Sequence, residues 1–176
     1  MTKQQFNDFW VENYPESQPI NYLFKHIYED NWLRIHSLPD AKRYANTKEE
    51  MDIILFRQNT VIDQIVSQDS DIQVVVNFID SDSFLFTMFN FTNIGILIDN
   101  ETVFQSFCFE TTWETNGLNP MLMEIADDNL RAFIISEDCL ICPYDGGMDL
   151  IFKDVNKKYF YKEKYKKWLS KRVDGL

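Results

Sequence analysis

Short polar links between strand-like runs are the feature that most constrains how this chain can fold. The runs of the second half are Ile94–Ile98, Val103–Trp113, Leu130–Ser136, Cys139–Cys142 and Met148–Phe152. Asp99-Asn100-Glu101-Thr102 separates the first pair, and Glu137-Asp138 separates the next pair. Because links of this length join antiparallel neighbours, we expect a largely antiparallel sheet.

Helical signals surround these strands. Thr2 with Gln5 and Thr47 with Glu50 match the capping-box pattern. Helices are expected from Thr2 to about Asn13, over about Ile20–Glu29, from Thr47 to about Ser67, from Asn119 to about Asp128 and over about Val155–Ser170; strands are expected over Trp32–His36 and Ile72–Ile79. The aromatic run Phe84–Phe91 fits a strand or a short helix. We therefore predict a single α+β domain over residues 1–176, with helices packed on the sheet and a C-terminal helix.

Composition limits the class of protein. The chain has 176 residues, 45% of them hydrophobic and 15% aromatic, which is enough for a sizeable core. No window approaches the roughly 18 apolar residues of a membrane-spanning helix, and the charged N-terminal segment does not resemble a signal peptide. Three cysteines do not make a disulfide framework. The expected compartment is a reducing cytoplasm.

The net charge of −11 is unevenly distributed. Residues 1–152 carry eight Lys/Arg against 25 Asp/Glu, a balance of −17. From Lys153 to Arg172, nine Lys/Arg face two acids, a balance of +7. Acidic surface accelerates association with basic partners. We therefore expect a non-enzymatic acidic module that binds a basic protein. An immunity-type protein that neutralises a cationic toxin would fit this charge.

The basic closing segment favours a solvated helix face, or pairing with the acidic body, over nucleic-acid binding. Its lysines lack an interleaved readout motif, and the acidic remainder of the chain would repel a polyanion. Nucleic acid and membrane are therefore not expected partners.

The stretch Tyr144-Asp145-Gly146-Gly147-Met148-Asp149 joins two of the expected strands. Its glycines can take positive φ and let other groups approach the backbone closely. Asp145 and Asp149 could serve acid–base chemistry or hold a cation through oxygen ligands. No third acid lies at a defining interval, so turn-forming residues are the favoured reading.

A second polar cluster follows the first expected strand. Arg34 and His36 alternate onto one face, and Arg43 and Tyr44 could fold back over it after a proline turn. Together they could form a cleft for a carboxylate or phosphate. The alternative is that an arginine pairs with Asp145 or Asp149 and fixes the loops.

These two clusters define the rival function. A small-anion or metabolite-binding protein, or an enzyme, would use Arg34, His36, Arg43, Tyr44, Tyr144, Asp145 and Asp149. This reading requires both clusters to converge on one pocket although they are over a hundred positions apart.

Known catalytic and metal-binding patterns are missing from the sequence. Cys139 and Cys142 match C-x-x-C, but in a strand residues i and i+3 face opposite sides, so structural thiols are expected. Cys108, His26 and His36 do not complete a zinc site. Phosphate-loop, dinucleotide-binding, H-E-x-x-H and G-x-S-x-G patterns do not occur. We expect no catalytic residues, cofactor or metal.

Two blocks of the sequence resemble a bacterial family. They are Arg34-Ile35-His36-Ser37-Leu38-Pro39 with Lys42-Arg43-Tyr44, and Tyr144–Ile151 followed by Trp168-Leu169-Ser170 and Asp174-Gly175-Leu176. The chain resembles the domain-of-unknown-function 3885 family, whose signature block corresponds to about residues 130–176. Gly146 and Gly147 replace the Asp-Arg often found in that turn. The resemblance implies a small bacterial cytoplasmic protein with no assigned activity, cofactor or catalytic residues.

Overall fold

Seven strands account for the described part of the sheet in the computed structural model, which describes residues 1–78 and 83–172. The strands are β1 (Trp32–His36), β2 (Asp71–Phe78), β3 (Thr92–Asp99), β4 (Thr102–Thr112), β5 (Arg131–Ile135), β6 (Cys139–Tyr144) and β7 (Gly147–Phe152). Every neighbouring pair is antiparallel, in the order β1-β7-β6-β5-β2-β4-β3. The α+β class and the antiparallel sheet are therefore confirmed.

The helices lie on both faces of this sheet. They are α1 (Lys3–Asn13), α2 (Phe24–Ile27), α3 (Lys48–Ile65), α4 (Leu85–Met88), α5 (Asn119–Ala126) and α6 (Val155–Lys164). Buried side chains of α3 and α5 pack with Leu33, Ile35 and Cys139 against one face. Phe6 and Trp10 of α1 and Phe24 of α2 pack with Cys142 against the other face.

Strand β1 shows the expected alternation. Leu33 and Ile35 belong to the core under α3, while Trp32 packs with the core under α1. Arg34 and His36 share the face of Trp32 because side chains alternate along a strand. Polar side chains are thereby directed to the rim of an aromatic core.

Two helix boundaries agree with the capping signals. The Thr2 hydroxyl accepts a bond from the Gln5 backbone N–H, and the Gln5 side-chain oxygen accepts one from the Thr2 N–H. Thr47 caps α3 by accepting from the Glu50 N–H. The Glu50 carboxylate, however, accepts from the Asn46 N–H and from Lys42, which ties the preceding loop to the helix.

Other segments differ from the expected elements. The region Ile20–Glu29 is not one helix but the short α2 between 3-10 turns at Asn21–Leu23 and Glu29–Asn31. The last helix ends at Lys164 instead of Ser170, and a 3-10 turn follows at Lys166–Trp168. That turn brings Trp168 onto Tyr165, with ring centroids 5.1 Å apart. Aromatic packing here replaces continuation of the helix.

The ambiguous run after β2 contains the short helix α4, whose Phe86 packs with Phe91 and Phe107. The predicted strand end at Ile79 and the terminal Asp174-Gly175-Leu176 lie outside the described residues. Within the described ranges, no helix combines the length and apolar character needed to cross a membrane.

Candidate functional site

Strand pairing brings the two candidate clusters together. Arg34 of β1 stands opposite Asp149 of β7 in the antiparallel register. Nε and Nη2 of Arg34 donate to Oδ1 and Oδ2 of Asp149, each at 2.7 Å. The Trp32 indole Nε1 also donates to Asp149 Oδ1 at 2.8 Å. A bidentate bond between a guanidinium and a carboxylate is among the stronger polar contacts in proteins.

This ion pair is largely removed from solvent. The side chains of Arg34 and Asp149 are only 13% and 8% exposed. The guanidinium carbon lies 4.6 Å from the centroid of the Tyr144 ring and 5.5 Å from that of Trp32, so two aromatic faces also contact the cation. Burial raises the pKa of the Tyr144 hydroxyl above its usual range, which keeps it protonated.

A second ion pair joins the turn to the loop after β1. Arg43 Nε donates to Asp145 Oδ2 at 2.7 Å. The two partners differ in exposure, since the Arg43 side chain is 63% exposed and the Asp145 side chain only 3%. Arg43 also lies over the ring of Tyr44, and interaction with the nearby Asp145 carboxylate raises the pKa of Tyr44. Oδ1 of Asp145 is buried and accepts no hydrogen bond within the described residues.

The two glycines permit close approach of neighbouring groups. A Cβ on Gly147 would lie 2.2 Å from the Ile35 carbonyl oxygen, and one on Gly146 would lie 2.9 Å from Cε2 of Tyr144. Positive φ does not explain them, because among the described glycines only Gly95 has positive φ. Gly146 also accepts a bond from the Ser37 N–H at 3.1 Å, which fixes the turn against the end of β1.

His36 lies beside both ion pairs. Its side chain is buried, and its Nε2 has no hydrogen-bond partner among the described residues. Burial lowers the pKa of His36 from its usual 6.5, and the Arg34 charge lowers it further, while Asp149 and the Gly146 carbonyl act in the opposite direction. The imidazole is therefore neutral near pH 7.

These groups line one cavity of about 630 Å³, which we call the β1–β7 cleft. Its charged lining residues are Lys25, Arg34, Arg43 and Arg131 together with Asp128, Asp145 and Asp149. Three of the cations pair with the three acids. Lys25 has no ion-pair partner in the described part of the chain, so the lining keeps an excess positive charge.

The structure brings six of the seven candidate residues to the cleft wall, and the seventh, Tyr44, has the Arg43 guanidinium over its ring. The two clusters therefore line one cavity, as a small-ligand site requires. Two of the arginines also pair with Asp145 and Asp149, as the structural alternative requires. Sequence reasoning missed Lys25, Tyr22 and Arg131, which line the cleft from outside the two predicted clusters. It also missed the bond from Trp32, although period-two alternation already placed Trp32 beside Arg34.

The cysteines are structural thiols. Cys139 and Cys142 are free and buried on opposite sheet faces. Burial raises the pKa of both thiols well above its usual value. Over the described ranges, no group of three or more His, Cys, Asp or Glu side chains is arranged to hold a metal ion.

Replacing Asp149 with Asn should destabilise the protein by about 3 kcal/mol, because it leaves the Arg34 guanidinium buried without a counter-charge. Urea unfolding monitored by tryptophan fluorescence measures this loss. Asp138→Asn is the matched control, since the side chains of Asp138 and its partner Lys157 are 43% and 44% exposed. This variant should lower the free energy of unfolding by only about 0.5 kcal/mol. Equal losses in the two variants would contradict the structural role of Asp149.

The lowered pKa of His36 predicts a pH-dependent stability. The unfolded chain takes up a proton near pH 6.5 while the folded imidazole resists it, so stability falls as pH decreases from above 6.5 towards the folded pKa. His36→Gln should reduce this slope of Tm against pH. His26→Gln is the control, because His26 is exposed; an identical slope in wild type and His36→Gln would refute the prediction.

No curated protein and no solved structure gives a significant match to the chain. The family described as Domain of unknown function (DUF3885) matches residues 20–173, which includes both ion pairs and the whole of the cleft lining. The match also covers the chain before and between the two sequence blocks that first indicated it, and it ends just before the closing Asp174-Gly175-Leu176. The chain belongs to the DUF3885 family.

Proposed function

We propose that this protein binds a small zwitterion of the amino-acid or peptide type in the β1–β7 cleft. The observation that carries the proposal is the Asp145 carboxylate, which is 3% exposed yet has one oxygen without a hydrogen bond within the described residues. A buried acceptor without a partner costs about 1–3 kcal/mol. A ligand ammonium or amide N–H that gains access to this buried oxygen would remove that cost.

Lys25 supplies the complementary requirement. It lines the same cavity and forms no ion pair with any described residue, so it is available for a ligand carboxylate. Arg34, Arg43 and Arg131 already have carboxylate partners. A zwitterion would satisfy one unpaired group of each sign. The cavity volume of about 630 Å³ also lies in the range typical of small-molecule sites.

Binding fits the cleft better than catalysis. Its carboxylates are engaged with arginines, and the pKa of Tyr144 is raised, so that hydroxyl stays protonated and does not act as a base near neutral pH. His36 is neutral, but its imidazole is buried between paired charges. These groups are arranged to hold a polar molecule. The three free, buried cysteines suit the proposed cytoplasmic location.

A thermal-shift screen of free amino acids and dipeptides tests the proposal. A ligand present at 100 times its Kd should stabilise the protein by about 2.7 kcal/mol. The shift should disappear in Asp145→Asn and in Lys25→Gln. N-acetylated forms of the same compounds, which lack the ammonium group, should give a much smaller shift.

Two variants outside the cleft act as controls. Asp138→Asn removes an acid, and Lys162→Gln removes an exposed lysine, so both should retain the full ligand shift. A panel without any active compound would overturn the proposal. It would also be overturned by a shift that survives in both Asp145→Asn and Lys25→Gln.

We propose as a second candidate that the acidic surface binds a basic protein, which includes an immunity-type role. Residues 1–78 and 83–172 contain 25 acidic residues, and seven of their side chains form ion pairs there, so much of the negative charge is left for a partner. This candidate depends on surface charge and not on the cleft. Partner capture should therefore survive Asp145→Asn and weaken with added salt.

A further inference from the structure

Arg57 is a half-buried cation without a counter-charge. It lies on α3, where Nη1 donates to the His36 carbonyl oxygen at 3.3 Å. Its guanidinium carbon is 4.8 Å from the centroid of the Trp168 ring. Burial alone lowers the pKa of Arg57, and it has no carboxylate partner among the residues the structure describes. Half-buried charges in proteins are usually compensated, which suggests that an anion belongs here.

A second cavity of about 600 Å³ opens in front of this guanidinium. Lys167 and Lys171 also line it, and Asp40 is the acid on its described wall. Neither lysine forms an ion pair within the described residues. A concentration of positive charge stands out in a chain with net charge −11. We call this cavity the Arg57 pocket.

The pocket has an apolar side as well. Leu38, Pro39 and Leu169 line it. Arg57 covers Trp168, and Tyr165 stacks on the same indole at 5.1 Å. The buried His36, whose Nε2 has no partner within the described residues, lies at the boundary with the β1–β7 cleft. A ligand would therefore meet cations at one end and apolar groups at the other.

We propose that the Arg57 pocket binds a small organic phosphate, with the phosphate on Arg57, Lys167 and Lys171 and the organic part against Pro39 and Leu169. A guanidinium provides paired donors for phosphate oxygens, and lysines add point charges. A dianion matches the local excess of positive charge better than a single carboxylate does. This site is separate from the proposed zwitterion site, and each can fail without the other.

A nucleic-acid backbone is less suitable than a small phosphate. Arg57, Lys167 and Lys171 line a concave pocket, whereas a polyanion needs an extended basic track. Residues 1–152 carry a balance of −17 and would repel the rest of such a strand. The size of the pocket instead suits a molecule of about nucleotide dimensions.

Isothermal titration calorimetry with the full chain tests the site. The probes are inorganic phosphate, adenosine 5′-monophosphate and glucose 6-phosphate, with adenosine and glucose as the uncharged matches. We expect inorganic phosphate to bind and at least one ester to bind more tightly, whereas adenosine and glucose should give no heat. The Lys167→Gln/Lys171→Gln double variant should raise Kd about tenfold, which corresponds to about 1.4 kcal/mol. Both lysines are exposed, so this variant should fold.

Arg57→Gln should weaken binding at least as much, whereas Lys162→Gln on the neighbouring helix should leave Kd unchanged. The proposal is overturned if none of the three phosphates binds at millimolar concentration. It is also overturned if Kd is the same in wild type and the double lysine variant. Loss of phosphate binding in Lys25→Gln but not in Arg57→Gln would place the anion in the other cleft. Preferential binding of a single-stranded oligonucleotide, weakening steeply with salt, would identify a nucleic-acid surface instead.

Discussion

The ion pair between Arg34 and Asp149 is the interaction on which the polar end of this protein depends. It joins residues that are 115 positions apart in sequence, on the first and last of the described strands. Both partners are largely buried, and the pair has an indole N–H and a tyrosine ring as neighbours. A buried pair is costly to desolvate but even more costly to break. Losing one partner is therefore expected to destabilise the β1–β7 end of the sheet more than the intact pair stabilises it.

Once this pair is formed, the remaining polar groups divide into paired and unpaired sets. Arg43 forms an ion pair with Asp145, yet the other carboxylate oxygen of Asp145 is buried and has no partner in the described chain. Lys25 and Arg57 are cations without carboxylate partners in that same part of the chain, and they line two different cavities. His36 lies between the two cavities. The paired groups hold β1 against β7 and the turn between β6 and β7. The unpaired groups are the ones that can bind ligands.

Local signals in the sequence explain most of the elements. Trp32–His36 was predicted with the bounds that the structure has, because a five-residue alternation ends at a proline-containing break. The Thr47 cap and the hairpin links placed α3 and the later strands correctly. The closing helix was predicted too long, since its stop depends on the packing of Trp168 against Tyr165 and Arg57, which is tertiary.

The site residues also divide into those with a local sequence signal and those recognised only from tertiary contacts. The turn and the Arg34–Tyr44 segment could be selected from sequence because polar groups interrupt apolar periodicity there. The sequence could not predict whether these two segments touch, because that depends on the order of the strands. Strand order is decided by long-range pairing. Lys25 and Arg57 had no such signal, because each is one charged residue in a helical segment. Their significance comes from the partners that they lack in the folded chain.

A double-mutant cycle on Arg34→Met and Asp149→Leu, read by urea unfolding, is the most direct test of this account. If the pair holds β1 against β7, each single variant has a much lower free energy of unfolding than the wild type. The double variant then recovers much of that free energy, with a coupling energy of about 2–3 kcal/mol. Losses that add to within about 0.5 kcal/mol would mean that the two side chains act independently. That result would contradict the central role assigned to the ion pair.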